Sequence, residues 1–271
     1  MFTDSLIRVG KNLGRKAFPR LRYTRNVRQW AKAEQEIALL PALCQRSAVS
    51  IDVGANRGCY IWHLLQTSAR VVAFEPLPSM HELLRSMYGS KIELHRVVLS
   101  DRVGTTQLRV PVGDCERATI AETNQLLGTS SDVQRIAVPM CTLDSLQLTN
   151  VAFIKIDVEG HEEAVVRGSI QTLKRFEPNL LIEIEERHCP GSLDRVNALL
   201  SDLEYSGAYI DGDAVLPLTG FDASRDQSPS NLHRSGTRTG KYINNFIFVP
   251  RSKLQAITAQ CEAILISRMH H

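Results

Sequence analysis

The chain has 271 residues, long for one domain and short for two, and its 43% hydrophobic content allows a sizeable core. No apolar run approaches the ~20 residues of a membrane span, and the start lacks the apolar core and small-residue cleavage site of a secretory signal. Six cysteines (Cys44, Cys59, Cys115, Cys141, Cys189 and Cys261) are scattered without a CxxC pair. That usage suits reduced thiols in a cytoplasmic protein and argues against a disulfide framework or a structural zinc.

The net charge of +3 hides an asymmetry. Residues 1–32 hold nine basic side chains against Asp4, a net of +8, so the remainder carries −5. Phe2, Leu6, Val9 and Leu13 fall on one helical stripe. Such a basic amphipathic arm suits an anionic membrane surface, which would place the protein peripherally at the inner face of the membrane. A docked arm on a second copy of the chain, a solvated tail and an organelle transit peptide are the competing readings. Nucleic acid is not expected, because no reader fold follows the arm.

In chain order, Ala31 to Leu43 predicts a short helix stopped near Pro41, closing an N-terminal segment 1–45. Ala48 to Val53 predicts a strand running into Gly54 and Gly58, followed by a helix over Tyr60 to Gln66. Val71 to Phe74 is a second strand, closed by Glu75-Pro76, with Ser79 capping a helix through Met87. Ile92 to Leu99 reads as a third strand, Gly104 to Val112 as a hairpin arm, 113–134 as a polar loop and Arg135 to Cys141 as an edge strand. Then come a core strand over Val151 to Ile156, a helix over Glu162 to Phe176, a strand over Asn179 to Ile184 and a helix over Ser192 to Glu204. Ala208 to Leu218 suggests a hairpin, 222–242 a mobile substrate loop, Asn245 to Val249 a last strand and 251–271 a C-terminal helix. Strands alternating with helices imply one α/β domain over 46–250, with a mostly parallel sheet covered on both faces.

In such sheets ligands sit beyond the carboxyl ends of the strands. Asp52-Val53-Gly54-Ala55-Asn56-Arg57-Gly58 occupies that place after the first strand, and its glycines permit a tight turn. Glu75, 23 residues after Asp52, ends the second strand, where a carboxylate can accept from both ribose hydroxyls of a nucleoside. The loop is not the G-x-G-x-x-G of dinucleotide sites. An acid at Asp52 repels a pyrophosphate and favours a ligand with positive charge, so S-adenosylmethionine is preferred over NAD.

The segments IDVGANRG (51–58), AFEP (73–76), VLSDRVG (98–104), TLDSL (142–146), FIKIDVEGHE (153–162), LLIEIE (180–185) and NNFIFVP (244–250) together resemble the FkbM-type S-adenosylmethionine-dependent methyltransferases. The resemblance implies a Rossmann-like class I methyltransferase domain with a seven-stranded sheet. It also implies transfer of a methyl group to a hydroxyl oxygen of a saccharide, in a glycan or a lipid-linked sugar; a polyketide or other small-molecule hydroxyl is the alternative. By motif position Asp52, Gly54, Asn56 and Gly58 would surround the methionine part of the donor, Glu75 the ribose, and Ser100-Asp101 the adenine.

FIKIDVEGHEE also supplies the reaction candidates: Lys155, Asp157, Glu159 and His161 alternate along a strand end and its turn. Alternation in a strand has a plain explanation, a solvated face. The donor loop beside it favours a cleft instead. His161, at a helix start, would stay neutral under the helix dipole and serve as general base. Asp157 would position donor or acceptor, and Lys155 would pair with a carboxylate or steady a developing alkoxide. A Mg²⁺ held by Asp157, Glu159 and Glu183 is the competing way to activate the hydroxyl. Glu162 and Glu163 read as first-turn helix acids. The two rival classes are an NAD-dependent sugar-modifying enzyme and a non-catalytic nucleoside-binding module.

Overall fold

A computed structural model of the protein describes residues 34–126, 132–232 and 239–269, with Tyr23, Asn26, Val27 and Gln29 ahead of them. The stripe and all the charged side chains of the basic arm lie outside the described residues.

The strands are β1 (Val49–Val53), β2 (Arg70–Phe74), β3 (Glu93–His95), β4 (Val98–Leu99), β5 (Gly104–Pro111), β6 (Val133–Cys141), β7 (Val151–Ile156), β8 (Asn179–Glu183), β9 (Tyr205–Asp211), β10 (Ala214–Pro217) and β11 (Asn245–Pro250). The main sheet has eight strands in the order β10-β9-β11-β8-β7-β1-β2-β3. β1, β2, β3, β7 and β8 pair in parallel, while β11 runs antiparallel to both β8 and β9. The expected seven strands become eight because the predicted 208–218 hairpin extends the sheet, with β10 pairing on the outer edge of β9.

Strand alternation sends successive side chains to opposite faces. Phe153 joins the cluster under α1 (Cys59–Thr67), α2 (Pro78–Tyr88) and α6 (Leu254–Met269). Ile154 and Ile156 join the opposite cluster, under α3 (Glu162–Arg167), α4 (Ile170–Phe176) and α5 (Ser192–Ser201). Phe153, Phe246 and Phe248 are fully buried; each contributes about 1.5–3 kcal/mol by leaving water. The arrangement is a Rossmann-like doubly wound fold.

Local details differ from the sequence expectation for physical reasons. α2 begins at Pro78, with extended Leu77 before it and no side-chain cap, because proline at the first helical position needs no N–H partner; Ser79 lies inside the first turn. The predicted third strand splits. Glu93–His95 pairs with β2, while Val98–Leu99 pairs with β6 in a second sheet ordered β4-β6-β5. Pro41 stands near the start of a short helix, Leu40–Leu43, instead of ending one. The described part of 222–242 contains a helical turn, Ala223–Asp226, whose buried Asp226 pairs with Arg225 at 2.6 Å and Lys241 at 3.0 Å.

The predicted helix Glu162 to Phe176 breaks into α3 and α4 at Gly168-Ser169. A Cβ on Gly168 would stand 1.9 Å from the Ser100 carbonyl oxygen, so only glycine lets the two backbones touch. Asp144, in the TLDSL turn, then caps α4, accepting from the N–H groups of Gln171 at 2.9 Å and Thr172 at 2.8 Å. Gly168→Ala is therefore expected to destabilise the fold by about 1–3 kcal/mol, the usual scale of overpacking. An unchanged urea midpoint would contradict the close approach.

Candidate active site

Two clefts open above the carboxyl ends of β1, β2, β7 and β8, and Gly54, Asn56, Glu116, Asp157 and Glu159 line both. The first, about 650 Å³ of open space, is largely apolar: Phe74, Met80, Val97, Leu99, Leu108 and Ile120 line it with Glu75 and His161. The second, about 1080 Å³, is polar and reaches Glu34, Asp52, Tyr60, Lys155 and Glu183. The apolar slot, with Glu75 among its acids, suits a nucleoside, and the charged cleft suits a polar reactant.

The floor between them is the donor loop. Gly54 has φ +82°, and a Cβ there would lie 1.8 Å from the Asp157 carbonyl oxygen. The β1 and β7 turns can approach this closely only over glycine. The backbone N–H groups of Gly54 and Ala55 both reach the Phe74 carbonyl at 3.0 Å, tying the loop to β2. Glu75 fixes the next residue, accepting from the N–H of Asn56 at 2.7 Å and of Leu77 at 2.8 Å. Gly58, with φ +72°, plays a different part from the one expected. A Cβ there would meet Leu84 and Tyr23, and its carbonyl accepts from the Tyr88 hydroxyl at 3.1 Å, so it is a packing glycine under the loop.

The roof over the first cleft comes from residues 113–126, read from sequence as a polar loop. Thr119 and Asn124 are buried and donate to the Glu159 carbonyl at 2.8 and 2.9 Å. Glu116 reaches Arg57 of the donor loop at 2.6 Å. These contacts went unseen in the sequence because the segment carries no strand or helix period; the apolar Ala118 and Ile120, partly buried against the second sheet, were the available signal among its polar residues.

Lys155 is the buried centre of the second cleft. The β1–β7 register sets it beside Asp52. Its ammonium lies 3.8 Å from Asp157, 3.7 Å from Glu183, 3.4 Å from the Asn245 side-chain oxygen and 5.1 Å from the centre of the Tyr60 ring. Burial pushes its pKa down, but the carboxylates Asp157, Glu183, Glu34 and Asp52 outweigh burial and hold it above the ordinary lysine value. Burial raises Asp52 to about 7 against the pull of Lys155, and its Oδ2 has no hydrogen-bond partner. Glu75 also rises to about 7 through burial, despite its two N–H bonds. Glu183 is driven well above the carboxylate range by burial and by Asp157, while Asn244 donates to it at 2.6 Å.

His161 stands on the other side. It lines the first cleft, and its Nε2 is 2.9 Å from the hydroxyl of Ser100. Burial lowers its pKa, the direction that favours the neutral ring. Ser100 and Asp101 are not brought into the cleft wall: Ser100 packs its carbonyl on Gly168, and Asp101 turns toward Arg102 at 3.5 Å. Glu159, with φ +57°, lies 3.3 Å from His188 and is raised well above the carboxylate range by burial and the neighbouring acids Asp157, Glu185 and Glu162. Glu162 closes its own turn by accepting from Gly160 N–H at 2.9 Å, and Glu163 pairs with Arg167 and Arg195. The magnesium trio of Asp157, Glu159 and Glu183, the alternative to a protein base, is not gathered. Asp157 and Glu183 face the Lys155 ammonium, and among the described residues no three His, Cys, Asp or Glu side chains are placed to hold a metal. All six cysteines are free, and no helix among the described residues is long and apolar enough to cross a membrane.

The family model of the methyltransferase FkbM domain matches residues 52–206, from Asp52 of the donor loop into β9. The chain belongs to the FkbM methyltransferase family. Among solved structures it is similar to methyltransferase FkbM from Methylobacillus flagellatus KT, at 18% identity over 74% of this chain and 43% of that one, with a TM-score of 0.47. It is also similar to precorrin-6y C5,15-methyltransferase from Geobacter metallireducens GS-15, at 12% identity over 79% and 87% of the two chains (TM-score 0.40). A third is a TehB-like SAM-dependent methyltransferase from Corynebacterium glutamicum, at 11% identity over 86% and 98% (TM-score 0.39). The chain thus spans less than half the length of the Methylobacillus FkbM protein. No curated protein matches it. Glu34, which lines the polar cleft, lies outside the matched span.

The residues present fit the FkbM family's donor, S-adenosylmethionine. Asp52 Oδ2 and Asn56 Oδ1 are buried acceptors without partners beside the loop, suited to an ammonium, and Glu75 faces the apolar slot where a ribose would lie.

Asp52, Glu75 and Glu162 all titrate near 7 when folded, above their ordinary values. The native state therefore holds protons that the unfolded chain has released. That stability is full below the ordinary carboxylate range and is lost as the pH rises through about 7. The unfolding midpoint of the ligand-free protein should fall from about pH 6 to about pH 8, and Asp52→Asn should flatten the fall. A midpoint rising over that window would contradict the burial of these acids.

Proposed function

We propose that the protein is an S-adenosylmethionine-dependent O-methyltransferase acting on a saccharide hydroxyl. The observation that carries this is the pairing of an apolar nucleoside slot with an acid-and-amide-lined cleft across one glycine turn. Carboxylate and amide side chains accept from neighbouring hydroxyls, as a sugar ring requires. When bound, the donor supplies a methyl group on a sulfonium, already a good leaving group.

The chain's own residues then have three tasks. Glu75 and the Asn56 turn hold the nucleoside end, and His161, held from behind by Ser100, walls it. Lys155 faces Asp157 and Glu183 and draws the Glu183 carboxyl back down against burial. Glu183, raised above an ordinary carboxylate by burial, takes the hydroxyl proton, with Asn244 fixing its other oxygen. This moves the base from His161 to the end of β8, because His161 lines only the nucleoside side.

Glu183→Gln should lower kcat by about 10²–10⁴ while donor affinity holds. His161→Ala should weaken donor binding and keep kcat at saturating donor. The reverse pattern would return the base role to His161. Glu75→Ala should cost donor binding about 1–3 kcal/mol by calorimetry, the scale of hydrogen bonds to a charged group; unchanged affinity would overturn the ribose assignment.

A further inference from the structure

The charge of the polar cleft says what kind of acceptor it admits, an inference that rests on the acceptor-site reading above. Among the described residues six carboxylates line it, from Glu34, Asp52, Glu116, Asp157, Glu159 and Glu183, against the two cations Lys155 and Arg57. Both cations are already met by carboxylates: Arg57 lies 2.6 Å from Glu116, and Lys155 lies 3.8 Å from Asp157 and 3.7 Å from Glu183. What remains is Glu34, Asp52 and Glu159. The donor, with a sulfonium, an ammonium and one carboxylate, adds only a single positive charge.

Two further atoms point to a ligand independently of the acidic count. Asp52 is 2% exposed and its Oδ2 has no partner; Tyr60 is 9% exposed and its hydroxyl has none. Both line this cleft. A buried acceptor and a buried hydroxyl left without partners cost free energy unless a ligand completes them. Burial together with neighbouring carboxylates also raises Asp52, Glu159 and Glu183, the behaviour of groups in a field that resists one more negative charge.

We infer that the acceptor is a hydroxyl compound of zero or positive charge, best one carrying a protonated amine beside the hydroxyl, and that anionic acceptors such as uronates and phosphosugars are rejected. An anion entering the cleft would find no cation without a carboxylate already on it among the described residues that line it. With Asp52 given to the donor's ammonium, a protonated amine would find Glu34 and Glu159.

The test uses the full chain with labelled donor and matched acceptors in three charge states: the methyl glycosides of glucosamine, glucose and glucuronic acid, and amino, neutral and carboxylate forms of a simple non-sugar alcohol. Transfer and binding to the protein loaded with S-adenosylhomocysteine are both read at low and high salt. The expected order is amine, then neutral, then carboxylate, with the carboxylate at least tenfold below the neutral compound and the gap narrowing in salt. Glu34→Gln should shrink the preference for the amine over the neutral compound. If no glycoside is methylated but the non-sugar series follows the same order, the charge inference holds and the saccharide reading falls. Carboxylates accepted as well as neutral compounds, or no charge preference in either measurement, would overturn the inference even if sugars are methylated.

Discussion

A single buried ammonium organises the polar half of this site. Lys155 sits near the end of a strand whose residues are all buried, and a charge there survives only with partners close by. Those partners come from four places: Asp52 on β1, Asp157 just past β7, Glu183 at the end of β8 and Asn245 on β11. The parallel register of β1 with β7, and the antiparallel insertion of β11 beside β8, are therefore tied to one electrostatic demand. Losing one partner of a buried pair typically costs about 3–5 kcal/mol, so the cluster holds the strand ends in place as well as shaping their chemistry.

The same demand explains why the acids around Lys155 differ from one another. Asp52 is deepest, beside the ammonium yet short of a partner for one oxygen, and is left near neutrality. Glu183 shares the ammonium with Asp157 and is pushed up by it. Glu75, one strand over, has no cation and relies on two backbone N–H groups. A row of carboxylates at strand ends becomes, through burial and a single cation, a graded set of binding and proton-accepting groups.

Much of this was legible in the sequence. The Asp52–Gly58 loop and Glu75 end the first two strands of an alternating strand–helix chain, and that order alone puts them at the sheet's ligand edge. Lys155 and Asp157 were legible through their alternation. The partition between the two clefts was not. His161 meets Ser100 because the third strand divides after His95 and sends Val98 and Leu99 to the second sheet, and no residue in 92–99 announces that division. Glu34, Tyr60 and Glu116 reach the site from a helix approach, a helix face and an aperiodic roof, where pattern arguments have nothing to read. The break between α3 and α4 hangs on Gly168, whose need is set by a backbone in contact with it and far from it in sequence.

The most direct measurement is a crystal structure with S-adenosylhomocysteine bound. The account predicts the ribose hydroxyls on Glu75, the adenine in the apolar slot with His161, and the sulfur at the Gly54–Asp157 junction facing Lys155 and Glu183. A sulfur directed toward His161, with the Lys155 cleft cut off from it, would contradict the division of the site.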